Sequence, residues 1–253
     1  MTWMRWSLAV GVVSVSWLVN APAHAVGLVL LSQERYVEAS TRYRDTLYFC
    51  GEPGEPPCTD SASARASAPD FGDFDVTLAP TCQLLECPDV SASQSSVLGP
   101  MGITLDMRAY GEANYGHEGT QSGSSIATSG LAVHFSIDQR IDAEILLSSV
   151  ERSFSSAGFT YASWSFRGPG IQVDCPVDPE CGNSWSFQGT LEPGDYELGA
   201  GVYSNAALAD YQGSLAYEES IVSLDLRLIP EPGTGLLLMV GMSGIALASR
   251  RYA

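Results

Sequence analysis

Leu131, Val133, Phe135 and Ile137 alternate with Ala132, His134, Ser136 and Asp138, and Val222, Leu224, Leu226 and Leu228 alternate with Ser223, Asp225 and Arg227. A period of two puts one set of side chains on each face of a pleated strand, so these segments read as half-buried strands of an antiparallel sheet. Further strand-like runs lie at 42–49, 74–78, 103–110, 143–149, 159–166, 184–191 and 196–203, separated by Gly, Pro, Asn and Asp turns. No amphipathic helix of three clear turns competes with them. The pattern predicts an all-β chain, an antiparallel β-sandwich or jelly roll. Leu191-Glu192-Pro193-Gly194-Asp195-Tyr196 reads as a Pro-Gly turn between two strands, with Gly194 supplying a positive φ. Two stretches lack the pattern: 51–70, rich in Pro, Ser and Ala, and 79–100, rich in Ser. Both are expected to be long surface loops of a single domain spanning 26–229.

The 253 residues hold 12 arginines, no lysine and 29 carboxylates, a net charge of −17. Neutralising phosphates needs a basic surface, so nucleic acid is excluded as a partner. Disorder throughout is excluded as well, because 45% of the residues are apolar and only 16% are charged.

The two ends have a different character. Arg5 is followed by a nearly continuous apolar run from Trp6 to Val19, and Ala23-His24-Ala25 places small residues at −3 and −1. Residues 1–25 therefore read as a secretory signal peptide cut after Ala25. At the other end Pro230-Glu231-Pro232 precedes the uncharged stretch 233–249, which ends in Arg250-Arg251. As a helix that stretch spans about 25 Å, marginal for a ~30 Å hydrocarbon core and suited to a temporary anchor. The two arginines would hold the terminus in the cytoplasm and leave 26–229 outside.

The tripartite ending, residues 229–253, resembles the PEP-CTERM sorting signal of Gram-negative bacteria that make exopolysaccharide. The resemblance implies that Pro230, Glu231 and Pro232 are read by an exosortase, a membrane-embedded cysteine protease that removes the transmembrane helix. Ile229 stands where the family often has Val. It also implies a destination at the cell surface or in the exopolysaccharide matrix, and it says little about activity. An ordinary C-terminal membrane anchor is the alternative. Residues 26–229 carry nine arginines against 28 carboxylates, so the exported part is more acidic than the whole chain.

The cysteines form three close couples, Cys50 and Cys58, Cys82 and Cys87, Cys175 and Cys181. Outside the cytoplasm they read as disulfides, and local closure within each Pro-containing loop is the simplest of the fifteen connectivities. No couple has zinc spacing. Ser163-Trp164-Ser165-Phe166 recurs as Ser184-Trp185-Ser186-Phe187. A long-looped hairpin would join the four aromatics across two strands, as sandwich core or, alternatively, as a carbohydrate-binding platform built on Trp164 and Trp185.

Catalytic signatures are sparse. His117-Glu118 opens like H-E-x-x-H, but Gln121 occupies the fifth position, and no G-x-S-x-G lies in the exported part. Asp70, Asp73 and Asp75, and Asp174, Asp178 and Glu180, are acidic groupings that calcium would accept in principle, although neither follows an EF-hand loop. A glycosidase pair cannot be picked from so many carboxylates by sequence. The sequence thus points to a non-enzymatic exported protein with a structural or adhesive role. The alternatives are a carbohydrate-binding module and a polysaccharide-acting hydrolase.

Overall fold

The computed structural model describes residues 27–49, 57–83, 87–113, 121–154, 158–175, 183–207 and 216–229, and every regular element among them is a strand. In chain order these are β1 (Val29–Phe49), β2 (Pro57–Ser67), β3 (Phe74–Leu78), β4 (Val90–Gly99), β5 (Gly102–Ala113) and β6 (Gln121–Ile137). They continue as β7 (Ile141–Phe154), β8 (Phe159–Gly168), β9 (Ile171–Cys175), β10 (Ser184–Leu191), β11 (Gly194–Ala206) and β12 (Ala216–Ile229).

The strands form two six-stranded sheets, ordered β2-β1-β6-β11-β8-β9 and β10-β7-β12-β5-β4-β3, with antiparallel pairing throughout. The alternation that defines the strands also builds the interior. Leu131, Val133, Phe135 and Ile137 of the first sheet and Val222, Leu224, Leu226 and Leu228 of the second are buried in one continuous apolar cluster. The β1 end of the first sheet packs over β3 and β4, and the β8 end over β7 and β12.

Two expectations are corrected. Both stretches expected to be loops contain strands: β2 within 51–70 and β4 within 79–100. Their period of two is written in small and hydroxyl residues: along β4, Val90, Ala92, Gln94, Ser96 and Leu98 face inward. Low hydrophobicity hid the alternation, and pairing with β1 and β5 supplies what local propensity lacks. The repeated tetrapeptides do not form a hairpin, since β8 lies in the first sheet and β10 in the second. Their aromatics meet across the interior instead. Trp164 and Trp185 have ring centroids 5.7 Å apart, and Phe166 lies 6.4 Å from Trp185. Phe135, Phe166 and Tyr196 extend this slab within the first sheet. The Pro-Gly turn falls where expected, with Gly194 at φ +146°, and it passes the chain from one sheet to the other.

Among the described residues, Arg35 is the one charged side chain deep in the apolar cluster's β1 end, at 1% exposure. Its guanidinium donates to the carbonyls of Asp70 and Gly72, to Ser96 Oγ at 3.0 Å and to Gln33 Oε1 at 3.0 Å, and it lies over the Phe74 ring. Residues 68–73 carry the chain from β2 in one sheet to β3 in the other, so Arg35 fastens the crossover from inside. Burial pulls its pKa down, and the nearby charges of Asp70 and Asp73 oppose that.

Candidate functional site

Cys82 and Cys87 form a disulfide that closes the connection between β3 and β4, with Cα atoms 5.6 Å apart. Cys175, at the end of β9, is also disulfide-bonded, to a cysteine other than these two. Cys50, Cys181, Asp178, Glu180 and His117 lie outside the described residues, as does the Cys58 side chain. The signal peptide 1–25, the sorting motif Pro230, Glu231 and Pro232, the helix expected at 233–249, and Arg250 and Arg251 lie outside them too.

The tryptophans are spent on packing. Trp164 is 2% exposed, and Trp185 is half-buried against the core. A sugar platform made of these two indoles is therefore not what the fold presents, because Trp164 faces the opposite sheet. His134 is exposed on the outer face of β6. Among the described residues, no three His, Cys, Asp or Glu side chains converge as a metal-binding group.

Described residues of the two sheets line two of the open grooves on the outer faces. One, of about 540 Å³, crosses the second sheet over β10, β7, β12 and β5 and is lined by Ser184, Ser186, Ser148, Ser223, Asp106 and Asp225. Asp106 accepts a hydrogen bond from Ser223 Oγ at 2.7 Å, and Asp225 is paired with Arg227. Both carboxylates face water on an open sheet, which does not supply the burial that sets a general acid apart from its base.

The other groove, a trough of about 500 Å³, lies on the first sheet over β9, β8 and β11. Residues 161, 163, 165 and 167 share the outer face of β8, the face opposite Trp164 and Phe166. Tyr161 pairs in register with Tyr203, Ser163 with Gly201, Ser165 with Gly199 and Arg167 with Glu197. The floor is thus hydroxyls and glycines. At one end stand Tyr161 and Tyr203, with Phe159 stacked on Tyr203 at 5.0 Å. At the other, Arg167 bridges Asp174 at 2.7 Å. Toward β6 the floor rises onto Tyr36, whose ring lies over Gly130, the register partner of Gly201. From Tyr161 to Arg167 the trough runs six residues, roughly 20 Å.

Sequence reading passed over this site. The repeated tetrapeptide drew attention to Trp164 and Phe166 rather than to Ser163 and Ser165, and the tyrosines gather only once β8, β11, β6 and β1 lie side by side. The available signal was the segment Leu198-Gly199-Ala200-Gly201-Val202, in which glycine alternates with apolar residues inside a strand. Glycine weakens a strand and often marks close approach of another group. No known family profile and no curated protein matches this chain.

Proposed function

We propose that this protein is an exported, non-catalytic component of the cell surface or exopolysaccharide matrix of a Gram-negative bacterium, structural or adhesive in role. On this reading residues 1–25 direct export, the tail 233–249 holds the precursor in the membrane, and an exosortase-type protease processes it at Pro230-Glu231-Pro232.

The observation that carries the reading is how the fold distributes its side chains. Trp164, Phe166, Phe135 and Tyr196 are committed to a buried slab, while the outer faces display serines, threonines, glycines and carboxylates, with Phe159 and Tyr161 exposed at one end of the trough, over broad open surfaces. Such faces present and adhere, whereas catalysis needs an enclosed site that shifts acid and base apart. The Cys82–Cys87 bridge fits an oxidising compartment.

Fractionation of the native host, combined with intact mass, tests this. The expected product begins at Val26, ends near the Pro-Glu-Pro motif and is recovered from the surface or matrix. Deleting residues 230–253 should release the protein into the medium, and Glu231→Ala should accumulate the unprocessed form. A surface species that retains Gly233 to Ala253 supports a plain membrane anchor, and protein confined to the cytoplasm overturns the proposal.

A further inference from the structure

We propose that the trough on the first sheet is a binding site for an extended glycan chain free of acidic groups, stacking on Tyr161 and Tyr203 and hydrogen-bonding to Ser163 and Ser165. This deepens the adhesive reading above and rests on it for the setting in which such a ligand is met.

The aromatics supply the first argument. Phe159 and Tyr161 are 55% and 44% exposed, on the face of β8 turned away from the core, so the packing of the sandwich does not account for them. A row of rings with polar tips beside hydroxyls matches the apolar C–H faces and the hydroxyl edges of a pyranose chain. A peptide would need apolar pockets for its side chains, and the outward-facing row of Ser163, Ser165, Gly199 and Gly201 does not build them. Ser163 and Ser165 make no hydrogen bond through their hydroxyls within the described residues and face the trough, available as donors and acceptors.

Gly201 gives an independent argument. Its φ is not positive, and a Cβ added there would sit 3.7 Å from Ser163 Oγ, an ordinary contact. The fold therefore tolerates a side chain at this position, and a glycine inside a strand costs stability. What the glycine secures is an open floor in the middle of the trough. Gly130 differs, because a Cβ there would strike the Tyr36 ring at 2.6 Å, so packing alone explains it.

Charge selects among glycans. Glu197 and Asp174 stand at the Arg167 end of the trough, Arg167 is committed to Asp174, and the whole chain carries −17. This field repels uronate and sulfate polymers and accepts neutral or amino-substituted ones.

The test is affinity electrophoresis and calorimetry of the full exported protein with hydroxyethylcellulose, a mixed-linkage β-glucan, chitosan oligosaccharides and polygalacturonate. Binding to at least one of the first three is expected, with none to polygalacturonate. Tyr161→Ala and Gly201→Gln should each weaken that binding about tenfold with an unchanged melting temperature, while Tyr161→Phe stays near wild type. Failure to bind all three non-acidic glycans, binding indifferent to both variants, or a preference for polygalacturonate would overturn the proposal. Fractionation of the same cells separates the two readings: protein at the surface that binds no glycan removes only the trough, and protein that never leaves the cell removes the setting.

Discussion

Two buried ionisable residues mark opposite ends of the interior. Replacing Arg35 by Met keeps its bulk but orphans the carbonyls of Asp70 and Gly72 and the hydroxyl of Ser96. The expected loss is about 1–3 kcal/mol in urea denaturation, with Arg35→Ala worse because a cavity is added. At the other end Glu218 is fully buried. One oxygen accepts from Ser153 Oγ at 2.8 Å and the other has no hydrogen-bond partner among the described residues. Burial raises its pKa, and the Ser153 bond offsets this in part. A carboxyl whose folded value lies above its unfolded one favours the folded state while protonated and loses that advantage as pH climbs from the unfolded value to the folded one. Glu218→Gln should therefore melt higher than wild type at pH 7 and alike at pH 4, and equal melting at both would refute the assignment. Trp164→Ala should cost about 3–5 kcal/mol, with Trp185→Ala costing less because that ring is only half-buried.

Strands were legible where their inward residues are large. The strands around Phe135 and Leu226 could be read directly, whereas β2 and β4 escaped because Ala and Ser alternate with Ser in both. Sheet membership was not legible: the two Ser-Trp-Ser-Phe segments look like one hairpin, and only the packing of one sheet on the other separates them. For the same reason the trough was invisible, since it needs the register of Tyr161 with Tyr203 and of Gly201 with Gly130. The edges also differ in protection. The described edge strands β2, β3 and β9 carry Asp60 and Arg65, Asp75, and Asp174, while β10 carries no charge at all. Uncharged edges invite intermolecular pairing. Ser186→Lys on the outward face of β10 should therefore delay light scattering in a thermal ramp without lowering the melting temperature, and an unchanged onset would show that association starts elsewhere.

At the scale of the whole molecule, the last strand in the chain occupies the middle of a sheet. β12 lies between β7 and β5, so the second sheet is two separate pieces until residue 229 has arrived, and position 230 follows directly. If the chain is exported as proposed, threaded across a membrane from its N-terminus, such wiring would work as a timer. Cooperative folding would wait for the final segment, and a transport-competent, unfolded state would persist for as long as transport lasts. Chains ended at residue 215 should remain open to protease, while chains ended at 229 become resistant in one step. Resistance appearing in the shorter chains would mean that the first sheet closes by itself and that the clock is set by some other strand.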